Sequence, residues 1–421
     1  MEAVPSLARH LADAAARSPQ ALAVHSVARQ WTFAEWLSEV SALAATIPAS
    51  REALRVSGSS LDLARHAFAC SLKNRPFQPV DRDRPPPPLA ALPPAVALVI
   101  MTSGSEGEPR AVMLSDAALD AAAAASNRRL PLGGGDLWLD CLPLQHIGGL
   151  SILWRCTRAG AGILLHEGFA APAVAGALDS HPVTHLSLVP AMLARLLDAG
   201  ARPSATLRHV LIGGAGLAQG LYERAAGAGW PLNPSYGMSE TAAQVATWTP
   251  ADGPWQSGLV GRPLGASEIA LAADGRIRIS GPQVMTGYGD GSGIDADGWL
   301  TTGDLGKIDT SGRLTVTGRA DDMLISGGRN VHPLEVESCL AACPGVLDVA
   351  VTGRPDPVWG DLIVALVVGT VTPGDLLAHA RRHLPSAALP RKIQIIDRLP
   401  RNATGKLERA TLRHLATEAG H

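Results

Sequence analysis

Residues 95–107 read AVALVIMTSGSEG: an unbroken apolar run, Ala95–Met101, ending in a loop of small residues, Thr102, Ser103, Gly104, Ser105, Glu106 and Gly107. A continuous apolar run closed by glycine has the pattern of a buried strand in a parallel sheet. The Ala-rich run from Asp116 to Arg128 reads as a helix, with Ser115 as its N-cap. A Thr/Ser/Gly loop between strand and helix can hold a phosphate. Its small residues expose backbone N–H groups, its hydroxyls add donors, and a helix dipole favours the anion. The spacing is not G-x-x-x-x-G-K-[ST], and an isolated loop of this kind is more often a plain connection.

Outward from the loop, the strand-then-helix rhythm repeats. Apolar segments Trp138–Leu142, Gly162–Leu165, Thr184–Leu188 and Leu207–Ile212 alternate with helical stretches, which is an α/β pattern. The texture changes over 258–318, where RIRISG (276–281), DGWLTTGD (297–304) and GRLTVTGR (312–319) predict a small antiparallel β subdomain. After Arg319 and the polar run Ala320-Asp321-Asp322, a further α+β pattern begins. Its segments are Pro333–Ala342, Val346–Thr352, Asp361–Val368, Pro373–Arg382 and Lys392–Ile396. Towards the N-terminus, Leu7, Leu11 and Ala14 lie on one face of a helix, and Ala21–Val24 reads as a short strand. The stretch DRDRPPPPLAALPP (81–94) reads as a surface connection, since consecutive prolines fit neither a helix nor a central strand.

The 421 residues exceed what one compact core usually organises. With 46% hydrophobic and 18% charged residues, the chain can bury a large core and is unlike a disordered polymer. A formal net charge of -2 lacks the basic footprint of a nucleic-acid binder. The five cysteines have no C-x-x-C spacing, so neither a zinc site nor a disulfide framework is expected, and a reducing cytoplasm fits. The first residues lack a basic start followed by an apolar core, and no apolar run reaches the roughly 18 residues of a membrane helix. A cytoplasmic protein without membrane insertion is expected. A homodimer is compatible with the sequence, which does not decide oligomeric state.

Four later segments change the reading of the small-residue loop. YGMSET (236–241), TTGD (301–304), GRADDMLISGGRNVHP (318–333) and LPRNATGK (399–406) follow it in order. Together the five resemble the signature motifs of the AMP-forming acyl-CoA synthetase superfamily. The resemblance implies an α/β fold with a large N-terminal adenylate-forming domain over 1–318, αβ layers plus a small β subdomain. A hinge at 319–322 and a smaller mobile α+β lid over 323–421 would follow. The implied cofactors are ATP, Mg2+ and CoA, and the implied substrate is a small carboxylic acid.

The resemblance also assigns residues. Thr102, Ser103, Gly104, Ser105 and Gly107 match the loop that holds the β- and γ-phosphates, with Arg110 in the position of its basic residue. Tyr236 matches the aromatic stacked on adenine, beside Gly237. Gly213, Gly214 and Ala215 match the strand end along the other face of the base. Glu240 matches the Mg2+-associated carboxylate, a hard oxygen ligand, and Thr241 a hydroxyl donor to the α-phosphate. Asp304 matches the carboxylate that accepts the ribose hydroxyls, Arg319 a second ribose contact and Asp321 the hinge. Lys406 matches a lysine that a closing lid delivers to stabilise negative charge. Gly327 and Gly328 match a loop that approaches pantetheine closely.

Some positions depart from the superfamily pattern. Glu106 stands where most relatives have threonine, Arg110 where lysine is usual, and Arg276 and Arg329 where glutamate is frequent. The chain is also short between its first αβ unit and the phosphate loop, so part of the first subdomain's sheet is expected to be missing or simplified. The segment LPLQHIGGLSILWRCTRAGAGILLHEGF (142–169) resembles the o-succinylbenzoate–CoA ligase branch, which serves menaquinone synthesis. His146 corresponds to the residue that gates the acyl pocket. The expected wall comprises His146, Gly148, Leu150, Ser235 and Gly237, with Gly148 and Gly149 leaving room for a ring. Arg155 is open between meeting a second carboxylate and being a surface charge. Three functional readings stay open: an acid–CoA ligase, an adenylating enzyme loading a separate carrier protein, and a degenerate nucleotide-binding protein.

Overall fold

The computed structural model describes residues 4–27, 29–81, 92–103, 109–401 and 407–418. Its largest sheet has 13 strands. Strands Leu137–Asp140, Gly162–Leu165, His185–Leu188, His209–Ile212 and Leu232–Met238 form its parallel part. The first four are the strands predicted for 136–245, with boundaries shifted by a residue or two; the fifth, Leu232–Met238, is not among the predicted strands. Helices Ile147–Ala159, Ala171–Ser180, Pro190–Asp198 and Gln219–Gly227 connect them. The parallel strands read as continuous apolar runs because both faces are covered; strands 137–140, 162–165 and 185–188 are buried at every position.

The antiparallel texture over 258–318 is real, but it does not form a detached subdomain. Strands Leu259–Pro263, Leu300–Ile308, Leu314–Arg319 and their neighbours continue the same sheet beyond Ala243–Thr247.

A second, five-stranded sheet holds the segment that opened the sequence reading. Val96–Ser103 pairs in parallel with Phe77–Pro79 and antiparallel with Pro109–Ser115. The small-residue loop therefore joins two strands of a hairpin rather than a strand and a helix. The helix Asp116–Arg129 starts only after the second strand, with the Ser115 hydroxyl accepting from the Ala118 amide as expected of its cap. The helix-dipole contribution expected at the loop is thus absent, because an antiparallel strand separates the two. Strand Phe77–Pro79 sits directly beside Val96–Ser103, with Phe77 opposite Leu98. Residues 82–91 of the proline-rich stretch lie outside the described residues.

The N-terminal helices close over this region. Helix Ser6–Arg17 buries Leu7, Leu11 and Ala14, and an aromatic cluster forms where Trp36 meets Trp31 and Phe68 edge-on, with centroids 5.4 and 5.7 Å away. All three rings are almost wholly buried.

Beyond Arg319, strands Leu324–Ser326, Arg329–Val331, Val346–Asp356, Gly360–Gly369 and Lys392–Ile395 form a third sheet. Helices Pro333–Ala341 and Pro373–His383 cover one face around Val336, Leu340, Ile363 and Leu376. Helix Arg409–Glu418 covers the other with Leu412 and Ala416. The unit meets the body where Ser257 Oγ lies 3.1 Å from Ser338 Oγ. A Cβ at Gly216 would sit 3.1 Å from Leu334 Cδ1. Among the described residues no helix is long and apolar enough to cross a membrane, and the five cysteines are free thiols.

Trp36→Ala empties the centre of the aromatic cluster, and truncating a fully buried aromatic costs about 3–5 kcal/mol. Urea unfolding followed by circular dichroism should register that loss. A change below about 1 kcal/mol would mean the cluster contributes little to the core.

Candidate active site

The parallel strands point the same way, so their carboxyl ends open along one edge of the sheet, where ligands of such sheets bind. Three of these ends carry expected site residues. After Leu137–Asp140 comes the loop to His146, which stands exposed at the N-cap of helix Ile147–Ala159. After His209–Ile212 come Gly213, Gly214 and Ala215. Gly214 adopts φ +78°, and a Cβ on Gly213 would lie 3.0 Å from Ser235 Oγ, so this rim runs tight against the next strand. That strand, Leu232–Met238, carries Tyr236 and Gly237 and leads through a single turn, Ser239–Thr241, into Ala243–Thr247.

The chain reverses so sharply here that a Cβ on Gly237 would lie 1.9 Å from the Ala243 carbonyl oxygen. Ala242 and Ala243 take φ values of 51° and 94°. Non-glycine residues in that region each cost about 1–3 kcal/mol. Thr241 stabilises the turn from inside. It is fully buried, and its hydroxyl donates to the Ala243 carbonyl at 2.9 Å while accepting from the Met238 amide at 3.1 Å. The resemblance leads to the expectation of a donor to the α-phosphate here; in this conformation the Thr241 hydroxyl is bonded to the backbone of its own turn.

Tyr236, Asp304, Arg319 and Asp321 form one connected chain. Strands Leu300–Ile308 and Leu314–Arg319 place Asp304 opposite Arg319. The Tyr236 hydroxyl donates to Asp304 Oδ2 at 2.7 Å, and Arg319 Nη1 lies 3.4 Å from Asp304 Oδ1. Arg319 also grips Asp321 with two parallel bonds, Nε to Oδ1 and Nη2 to Oδ2, both 2.8 Å. Those bonds hold Asp321 below the ordinary carboxylate range and Arg319 above its own. Burial, and then the neighbouring Asp304 charge, push the Tyr236 phenol well up, which keeps it a proton donor. Only 9% of Tyr236 is exposed, so its ring is largely covered in this state.

Glu240 projects from the turn and accepts a 2.8 Å hydrogen bond from the Tyr288 hydroxyl on Oε1. Nothing in the sequence linked Tyr288 to Glu240. The short strand Gly287–Tyr288 reaches the site only by pairing with Val112 and Met113 of the phosphate-loop hairpin. No cluster of three or more His, Cys, Asp or Glu side chains that could hold a metal occurs among the described residues. A single carboxylate nevertheless fits Mg2+, which keeps several waters and is commonly bound through one or two carboxylates plus substrate phosphates.

Other expectations fare differently. Thr102 donates to the Arg110 carbonyl at 3.3 Å within the hairpin. The Arg110 guanidinium is engaged by Ser292 at 2.6 Å and Asp290 at 3.4 Å. Leu150 is fully buried in the core and cannot form pocket wall. Gly149 is small for a backbone reason, since a Cβ there would lie 2.8 Å from the Leu142 carbonyl oxygen. Gly148 and Ser235 remain partly exposed.

Arg155 is neither a surface charge nor a ligand at the rim. It is 2% exposed, over the Trp138 ring at 5.4 Å, and burial lowers its pKa to about 10. Nearby Asp140 is pushed up by the same burial. Gly327 and Gly328 take φ of 57° and 74° in the turn joining Leu324–Ser326 to Arg329–Val331. A two-residue hairpin turn with two positive φ values needs glycine irrespective of any ligand. Lys406, with Gly104, Ser105, Glu106 and Gly107, lies outside the described residues. The ends of the segment carrying Lys406 are joined by a bridge between Arg401 and Leu407, and Arg401 holds Asp348 at 2.9 Å.

Comparison with known proteins adds the following. Residues 49–289 match the model of the AMP-binding enzyme family, and residues 335–406 that of the AMP-binding enzyme C-terminal domain. The 2-succinylbenzoate–CoA ligase of Bacillus subtilis (strain 168) is 36% identical over 334 residues, covering 76% of this chain and 69% of the relative. The structure of the o-succinylbenzoate CoA synthetase from Bacillus subtilis with its acyl-adenylate intermediate superposes with a TM-score of 0.82 at 29% identity. It covers 96% of this chain and 97% of that one. The same synthetase in complex with ATP and magnesium ion gives the same score and identity over 96% and 99%. With the large domain's match spanning more than half of the sequence and a relative above one-third identity across three quarters of it, this chain belongs to the AMP-binding enzyme family.

Proposed function

We propose that the protein is an ATP-dependent acid–CoA ligase whose acid is o-succinylbenzoate. A substrate carboxylate attacks the α-phosphorus of ATP, forming the new C–O–P linkage as pyrophosphate leaves. The CoA thiolate then attacks the acyl carbon, and AMP departs with the bonding pair. The observation that carries this reading is the chain from Tyr236 through Asp304 and Arg319 to Asp321. It ties a carboxylate suited to paired ribose hydroxyls directly to the residue expected to be the pivot. The identity to 2-succinylbenzoate–CoA ligases supports the choice of acid.

Within this reading, Thr102, Ser103, Gly104, Ser105 and Gly107 hold the phosphates, and Gly213, Gly214 and Ala215 lie along the adenine. Tyr236 covers the base's other face once its ring is uncovered. Bound Mg2+ would draw charge from the phosphate oxygens, with Glu240 as the protein carboxylate beside it. His146 gates the acyl pocket, and the Gly327–Gly328 turn is carried towards the thiol. The division into 1–318, a hinge at 319–322 and a lid over 323–421 is supported by the separate lid core. The working unit is placed in the cytoplasm, where its free thiols stay reduced.

Incubation with MgATP and o-succinylbenzoate should release pyrophosphate, and added CoA should give the acyl-CoA. Pyrophosphate without CoA consumption would indicate a carrier-protein acceptor, and no pyrophosphate with any acid would remove the ligase reading. Asp304→Asn should raise the KM for ATP roughly 10- to 100-fold, as hydrogen bonds to a charged acceptor contribute about 1.5–3 kcal/mol each. The KM for the acid should stay unchanged, and an equal rise in both would argue against a ribose contact. Lys406→Ala should slow adenylate formation by about 10²- to 10³-fold. Thioester formation from supplied acyl-adenylate should be preserved, so equal loss in both half reactions would contradict a lysine that serves only the first.

A further inference from the structure

We propose that Tyr288 is a positioning residue of the nucleotide site, fixing Glu240 for the magnesium ion that accompanies ATP, and that Arg110 acts on Tyr288 rather than on the phosphates. The inference rests on the ligase reading; it extends that reading to Tyr288, which the motif pattern leaves without a role, and reassigns Arg110.

The Glu240 carboxylate is held at one oxygen by the Tyr288 hydroxyl, 2.8 Å away, and its own carbonyl accepts from the Met285 amide at 2.8 Å. That bond commits one carboxylate oxygen of Glu240, and no hydrogen bond to the other is found among the described residues. Tyr288 is itself clamped. The Arg110 guanidinium carbon lies over its ring, 3.4 Å from the centroid. Arg110 Nη2 is anchored beyond the ring by Ser292 and Asp290. Ser292 Oγ in turn donates to Asp290 Oδ1 at 2.7 Å.

The chain also passes so close at Gly293 (φ +109°) that a Cβ would lie 2.6 Å from the ring's Cδ2. The register explains the placement of Arg110 over the ring. Tyr288 is opposite Val112, and Arg110, two residues along, shares that face of the sheet as a diagonal neighbour.

Arg110 also stands where the superfamily usually has lysine. A guanidinium is planar and can lie over an aromatic face while hydrogen-bonding at its edge; an ammonium is a compact point charge with no plane to stack. The substitution therefore matches a clamp better than a phosphate contact. Arg110, Tyr288 and Glu240 make a relay from the base of the phosphate-loop hairpin to the metal-side carboxylate.

Binding calorimetry with ATP, in EDTA and in saturating Mg2+, tests this without reference to turnover. The quantity read is the factor by which Mg2+ tightens ATP binding. Tyr288→Phe should reduce that factor roughly tenfold while leaving metal-free ATP affinity within about twofold of wild type, as expected for one lost hydrogen bond to a charged acceptor. Arg110→Met should act in the same direction, and the double variant should be no worse than Tyr288→Phe, the non-additivity expected of one unit. A wild-type Mg2+ factor in Tyr288→Phe, or in Arg110→Met if the first variant does not fold, would overturn the positioning role. Weaker metal-free ATP binding in Arg110→Met, additive with Tyr288→Phe, would place Arg110 on the phosphates and overturn its clamping role. If the wild-type protein bound no ATP in either condition, the ligase reading itself would fall and this inference with it.

Discussion

The site depends on one guanidinium held between two carboxylates. Arg319 offers a rigid fork of donors, and two of them lie parallel on Asp321 while a third reaches Asp304. Such bidentate pairing fixes direction as well as distance. Arg319 ends the last strand of the body's sheet, Asp304 lies opposite it in that sheet, and Asp321 begins the passage to the third sheet. The same arginine therefore sets the position of the carboxylate suited to the sugar and the conformation of the linker. A lysine would preserve the charge and lose the fork. Asp322, one residue on, is tied instead to Arg409 of the last helix, whose other bonds go to Glu337 and the Val351 carbonyl. Adjacent residues of the linker are thus anchored to different bodies, which is the arrangement a pivot requires.

The backbone around Tyr236 to Ala243 obeys a different constraint. The turn that projects Glu240 is tight enough to exclude any side chain from Gly237 and to force two alanines to positive φ. The buried Thr241 hydroxyl and the Gln283 amide, which donates to the Gln244 carbonyl at 2.9 Å, satisfy the polar groups that this turn would otherwise strand. Strain of this kind persists only where surrounding contacts over-determine it. Two acidic side chains, Glu240 and Asp304, each accept from a tyrosine hydroxyl, Tyr288 and Tyr236 respectively. The chain has only three tyrosines, and two of them orient acidic groups of the site.

Several residues have packing reasons for their identity that a motif match does not reveal. Gly149 is demanded by a carbonyl of its own loop, Gly327 and Gly328 by a hairpin turn, and Leu150 by the core. Arg155 is a buried cation over the Trp138 ring. A motif match marks such positions as important without saying whether the reason is a substrate or a backbone.

The order of apolar runs, the α/β rhythm over 136–245, the change of texture near 258 and the separate C-terminal pattern were legible because they follow from local periodicity and turn chemistry. Asp304, Arg319 and Asp321 were singled out only through their match to family motifs; the structure shows that Arg319 is bonded to both carboxylates. The hairpin at the phosphate loop was not, because an apolar run followed by a glycine-rich loop looks the same whether a helix or a returning strand comes next. Nor could the sequence distinguish Thr241 facing a ligand from Thr241 facing its own turn, as one residue of rotation decides it. Tyr288 lies 48 residues from Glu240 and 178 from Arg110, the difference of their numbers. Only strand pairing between two sheets' worth of chain brings those three together. Local sequence determines which residues have the right chemistry; which of them face the same space is decided by non-local packing, where the cost of a buried, unpaired polar group selects the partners.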